Sequence, residues 1–459
     1  MVFYSVPFLV LFISASILLQ STKTIKQQHW VILAANIIFY GYWDLRFLFL
    51  VASEILVCYL AMLQYAKSGK RFWMILSATV CLLTLAVFKY SNFFVESFQN
   101  AFGITDPITL RIIVPLGISF YTFQLLSYIF DVYRNVIPAE KNFVKLAAYI
   151  SFFPQITSGP IVKARDFLPQ LNCLHKIKKE NLYRGLQLIL LGLTKKIVFA
   201  DRIGVAVDAV FSSPAAYNGI SILFAIVGYS MQIYCDFSGY SDMAIGIAAM
   251  WDFDLGKNFN MPYLAKNPSD FWKRWHISLS SWFQEYVYIP LGGSRAGTKK
   301  TYCNLFVTML LSGIWHGANW TFALWGILHA LGSIIHKAVS KTQFNARLQK
   351  KPIICILGNY IFVSMLWVIF RAGSLEIMGS IFAGLFRWEG IFYINVYVVA
   401  YALLILLGNV MAYRRNNGNS ITPALQLDTF PGKLRLSIWL FLIIMFAYVG
   451  NSAFIYAQF

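Results

Sequence analysis

The stretch NPSDFWKRWHISLSSWFQEYVYIPLGGSR, residues 267–295, and the apolar run SGIWHGANWTFALWGILHA at 312–330 decide how this chain is read. Together they place two histidines, His276 and His316, each directly after a tryptophan, in a sequence whose other segments are nearly all apolar. An ionisable side chain is costly at membrane depth, so a histidine there is a functional candidate by default. His316 is the stronger of the two, because Gly317 and Ala318 beside it permit close approach of chain or ligand. The plainer alternative is that His316 only hydrogen-bonds a neighbouring helix.

Working outward, composition sets the class. Hydrophobic residues make up 58% of 459 and charged residues 12%, about half the charge of an ordinary soluble domain. This is the balance of an integral membrane protein. No polar stretch is long enough to build a soluble domain with its own core, so a single membrane domain is expected over residues 1–459. The net charge of +19 lies in short Lys and Arg clusters between apolar runs. That pattern fits cytoplasmic loops facing anionic lipid rather than a basic face for nucleic acid. The six cysteines are scattered without a CxxC pair and read as free, buried thiols. The first apolar run, 2–19, has neither a basic region before it nor a small-residue cleavage site after it, so it reads as a retained helix.

The apolar runs are uneven in length. A full span needs roughly 20 residues, and runs such as Leu146–Phe153, Ile203–Phe211 and Tyr286–Leu291 are too short. The expected architecture is all-α and polytopic, with roughly ten to twelve crossings plus re-entrant or interfacial helices. Broken backbone at membrane depth is tolerated only where protein or a water-filled cavity satisfies it, so the short pieces imply an internal chamber. Lys23 and Lys26 after the first helix place the N-terminus outside. Arg414, Arg415, Lys433 and Arg435 place the last connection inside, so the tail from Asn451 is expected outside.

The chemistry narrows by elimination. His329 and His336 share a helical face, but no carboxylate lies near them in sequence, and the paired-histidine zinc pattern is absent, so no metal is expected. Nucleophile-elbow, P-loop and dinucleotide fingerprints are also missing. What remains is a neutral histidine in a chamber, suited to general-base activation of a hydroxyl. A thioester donor fits such a site because it carries its own activation.

RWHISLSSW at 274–282, YIPLGG at 288–293 and the WHGANW segment resemble the membrane-bound O-acyltransferase family, specifically its bacterial alginate O-acetyltransferase-like branch. PLGISFYTFQ from Pro115, SFFPQITSGPI from Ser151 and QIYCDFSGYSDMAIG from Gln232 agree with it. The resemblance implies a ring of tilted helices around a central funnel, with core motifs over 115–330, C-terminal helices over 353–449 and an outer tail at 450–459. It maps the family's catalytic histidine onto His316 and a second signature position onto His276. Asp236, Ser238, Tyr240 and Asp242 form the family's polar segment, whose other reading is helix packing, and Trp275 and Trp315 line the tunnel. Lys273 and Arg274 stand where donor phosphates would meet basic side chains.

The implied activity is transfer of acetyl from cytoplasmic acetyl-CoA, a substrate rather than a bound cofactor, for O-acetylation of an extracytoplasmic polysaccharide. The expected partner is a separate outer enzyme of the SGNH esterase type, and the expected location is the bacterial cytoplasmic membrane. Two alternatives stay open: D-alanyl transfer to teichoic acid from a carrier-protein thioester, and a polytopic glycan or lipid transporter. The tail FIYAQF, 454–459, resembles the terminal motif of the companion peptide in D-alanyl transfer systems, which marks Tyr456 as an acyl relay. Its plainer reading is an aromatic interfacial anchor.

Overall fold

The computed structural model describes residues 1–104, 110–295, 297–395, 398–400, 402–404, 406–408, 427–448 and 450. These residues are helical apart from turns and loops, and the one β-bridge among them joins Tyr217 to Ile391. They form two compact units, Met1–Ile189 with Ser241–Gly256, and Leu190–Tyr240 with Lys257–Phe459.

The longer helices of the first unit's leading segment are α1 (Val6–Ser21), α2 (Ile25–Gly41), α3 (Leu45–Ser68), α4 (Phe72–Phe102) and α5 (Ile118–Tyr133). Their ends follow local rules. Ser5 caps α1 by accepting from the Phe8 amide, and Thr24 and Gln27 form a reciprocal capping box on α2. Gly69 and Gly103 close α3 and α4 in the left-handed conformation that suits glycine. An aromatic cluster holds this unit together: Phe8, Phe39 and Trp251 each pack against Phe153 at 5.9, 5.3 and 5.4 Å.

Onward run α6 (Lys179–Leu193), a π-helical turn at Thr194–Ala200, α7 (Asp201–Ser212) and α8 (Gly219–Met250). Then come the short helix Ile277–Phe283, α9 (Thr298–His316), α10 (Trp320–Val339), α11 (Pro352–Arg371), α12 (Leu375–Gly384) and α13 (Phe430–Phe446). Among the described residues α3, α4, α8, α10 and α11 are long and apolar enough to cross a membrane. Helices α1 and α12 are apolar but shorter. Four of the six cysteines are buried as expected, whereas Cys173 and Cys303 are exposed. Each of those two sits near a basic loop rather than inside a packed helix face.

The α9–α10 hairpin is the element that positions the site. A Cβ built on Gly326 would meet the Met309 carbonyl oxygen at 2.6 Å and the Gly313 Cα at 3.1 Å. Only hydrogen fits at these two positions, so the helices pack backbone against backbone, as small residues allow in membrane proteins. Asn319 then starts α10 by accepting from the Thr321 amide.

Candidate active site

His316 is the last residue of α9, since Gly317 leaves the helix in an extended conformation. Its ring is 4% exposed, and Nδ1 lies 2.6 Å from the Ser312 carbonyl oxygen one turn back. A carbonyl only accepts, so Nδ1 carries a proton, and in the neutral form of the ring Nε2 carries the lone pair. The close hairpin brings α10 to this ring: Trp325 meets it edge-on at 4.9 Å, and Phe370 of α11 stands at 5.6 Å.

His276 is set by a different device. The segment 258–260 is strapped to 274–277, with the Asn260 amide donating to Arg274 O (2.8 Å) and the Ile277 amide to Asn258 O (2.9 Å). Between these bonds His276 takes φ +42° and ψ +56°, a left-handed conformation uncommon outside glycine and held only where the surroundings fix it. The ring is fully enclosed, with Phe237 edge-on at 4.7 Å and Phe259 at 6.4 Å. Its Nδ1 lies 3.1 Å from Asn258 Oδ1, which also accepts from the Ser278 amide at 3.3 Å and hydroxyl at 2.9 Å. A backbone amide pointing at that atom identifies it as the amide oxygen, so His276 Nδ1–H donates and Nε2 again bears the lone pair. Burial first, and nearby His316 second, push the His276 pKa well below the usual histidine value, so the ring is neutral at physiological pH.

The Trp315 ring touches both imidazoles, at 5.0 Å from His316 and 6.4 Å from His276. The two histidines of the organising stretch are thus brought together around one indole. Trp275 is buried in an aromatic stack with Trp367 (4.8 Å), Phe259 (5.1 Å) and Phe271 (5.6 Å). Asp236 is paired with Lys196 at 2.6 Å, and the same ammonium reaches Asp201 at 2.8 Å. Ser238 and Tyr240 are buried on α8, whereas Asp242 belongs to the first unit and is half-buried. Lys273 is exposed, and Arg274 donates to Asp270 at 2.8 Å across one helical turn. Tyr456 lies outside the described residues.

Sequence reasoning missed two residues of this arrangement. Asn258 orients His276 from 18 residues away, and no local pattern announces it. Lys196 had a visible signal, being one of two lysines inside an apolar run, where a charge is functional or paired.

Two imidazoles enclosed by apolar surroundings and brought to one indole, each with Nδ1 directed at a carbonyl oxygen, are the equipment of a membrane-embedded group-transfer enzyme. The family model for MBOAT, the membrane-bound O-acyltransferase family, matches residues 63–381. The chain is 38% identical to the probable alginate O-acetylase of Azotobacter vinelandii, over 84% of this chain and 78% of that one. It is 35% identical to the peptidoglycan O-acetyltransferase of Helicobacter pylori, over 79% and 74% of the two chains. The teichoic acid D-alanyltransferase of Bacillus subtilis is 32% identical over 47% of this chain and 57% of its own length. The chain belongs to the membrane-bound O-acyltransferase family and is an O-acyltransferase.

Proposed function

We propose that this protein takes acetyl from acetyl-CoA at the cytoplasmic face of the bacterial cytoplasmic membrane and passes it across for O-acetylation of an extracytoplasmic polysaccharide. A separate outer enzyme of the SGNH esterase type completes the transfer. In this reading the helices, in roughly ten to twelve crossings, enclose a funnel that lets donor and acceptor reach the site from opposite sides, and both termini lie outside. The similarity to two O-acetylating relatives over more than three quarters of the chain favours acetyl over D-alanyl, whose relative aligns with less than half of it.

The observation that carries the reading is that the buried rings of His316 and His276 meet one indole, each with Nδ1 directed at a carbonyl oxygen. His316 Nε2 accepts the acceptor hydroxyl proton as that oxygen attacks the thioester carbonyl. The C–S bond then breaks, and the imidazolium returns the proton to the departing sulfur, giving thiol and ester. The Ser312 carbonyl at Nδ1 favours the charged ring during this step. His276 orients the donor near exposed Lys273, which meets its phosphates with Arg274. The Tyr456 hydroxyl is the first acceptor in this scheme, and its phenyl ester is activated enough to pass acetyl onward.

The test is thiol release from acetyl-CoA by purified protein with an acceptor present. His316→Ala is expected to lower transfer by about 10²–10⁴-fold, the range of a general base, while the protein stays folded. Near-normal turnover in a folded variant removes His316 from the reaction.

A further inference from the structure

Beneath His316 the α10–α11 seam holds a third histidine that the proposed reaction does not use. His329 is fully enclosed, and neither of its ring nitrogens has a hydrogen-bond partner among the described residues. One turn further along α10, the buried Ser333 hydroxyl is also unpaired among the described residues, and so on α11 is the buried Asn359 amide, at both its oxygen and its nitrogen. The helices run antiparallel, since Trp325 stacks on Trp367 at 5.9 Å while a Cβ on Gly332 would press on the Phe362 ring. That register carries Asn359 to the level of Ser333. Three buried polar side chains therefore share one seam between two helices that are apolar enough to span a membrane, where lipid offers no partner.

Unpaired buried polar groups are expensive, and an enclosed polar seam keeps such groups only if something fills it. A neutral imidazole, a hydroxyl and a carboxamide each donate and accept, so the complement is a small neutral ligand that does both. Water meets that requirement. The indole of Trp325 touches both His329, at 4.6 Å, and His316, at 4.9 Å. We propose that His329, Ser333 and Asn359 bind ordered water, and that Trp325 is the partition that keeps this water from the thioester at His316.

The partition half rests on the acyl-transfer reading above; the water half does not. Without the indole, water adds to the thioester carbonyl, the C–S bond breaks, and acetate and free thiol form in place of the transferred ester. Trp325 is thus a residue that sets transfer against hydrolysis.

Two measurements on the full chain in lipid nanodiscs test this. Nitrogen-15 NMR of histidine-labelled, donor-free protein, assigned by the signals lost in His329→Phe, should show His329 as a neutral, hydrogen-bonded ring in exchange with water. An unbonded ring overturns the water site, and so does bonding that appears only when acetyl-CoA is added, which assigns the partners to the donor's arm. In the second measurement, the ratio of thiol released to acetyl delivered should rise by about tenfold or more in Trp325→Ala, a barrier change of ~1.4 kcal/mol. Adding His329→Phe and Asn359→Leu should bring it back. An unchanged ratio in a transferring Trp325→Ala protein, or a ratio that stays high in the triple variant, overturns the partition. If Trp325→Ala does not fold, Trp325→Phe replaces it, with a smaller rise expected and an unchanged ratio again overturning. A wild type that consumes no thioester refutes the proposed function and the partition together, and leaves the NMR result to decide the water site.

Discussion

Lys196 and Asp236 meet at 2.6 Å with side chains only 3% and 1% exposed. The same ammonium holds Asp201 at 2.8 Å, and the residue after Asp236, Phe237, forms one wall around His276. A buried ion cluster, centred on Lys196 of the π-helical turn, is therefore joined through α8 to a wall of the candidate site.

Lys196→Met leaves two buried carboxylates without their cation, and breaking such a cluster costs about 3–5 kcal/mol. The expected result is a large drop in melting temperature that Asp201→Asn and Asp236→Asn together largely restore. A Lys196→Met protein as stable as wild type sinks this account.

Asn258→Ala removes the acceptor shared by His276 and Ser278. Leaving those donors buried costs about 1–3 kcal/mol, and loss of ring orientation should lower turnover by about tenfold, equivalent to ~1.4 kcal/mol of barrier. Wild-type turnover in the variant means that Nδ1 is oriented by something else.

The depressed pKa of His276 makes a pH prediction with a definite sign. The unfolded chain binds a proton below about 6.5 while the folded ring resists it, so stability present above that pH is lost as pH falls through it. Melting temperatures from about pH 8 down to about pH 5 should fall faster for wild type than for His276→Asn, from below the ordinary histidine value of ~6.5. Parallel curves would show that His276 is not the group responsible.

Gly326→Ala forces α10 away from α9, because the added carbon has no room beside Met309 and Gly313. The cost should be about 1–3 kcal/mol from overpacking, with acyl transfer reduced further as Trp325 shifts against His316. Gly358→Ala on α11 is the control, as a Cβ there meets nothing within 4 Å. Equal behaviour of the two variants would show that the close approach of α9 and α10 does not hold the site.

Tyr456→Phe keeps an aromatic anchor and deletes the relay hydroxyl. Polymer acetylation should be lost while thiol release in the presence of a small acceptor persists. Acetylation of the polymer at the wild-type rate leaves the tail as an anchor.

The membrane class and the helical fold were legible in the sequence, because apolar run length is a local signal, and His276 and His316 stood out as ionisable rings in apolar surroundings; that one indole touches both rings was not legible. Asn258 was not legible, since its role depends on a loop crossing another loop, which no periodicity records. Lys196 was hidden in a different way: the run it interrupts still reads as apolar on average, and its two carboxylate partners come from separate helices. His329 was visible only as a poor metal ligand. That its ring nitrogens lack hydrogen-bond partners among the described residues becomes apparent once α10 and α11 are laid side by side.

The left-handed backbone at His276 reaches beyond orientation of the ring. Histidine, asparagine and aspartate enter that region several-fold more readily than other side chains, and β-branched residues almost never do. The chirality of the chain thus acts as a filter on position 276 before any reaction is considered. It biases what this corner presents to a substrate, apart from bare glycine, toward an imidazole, a carboxamide or a carboxylate.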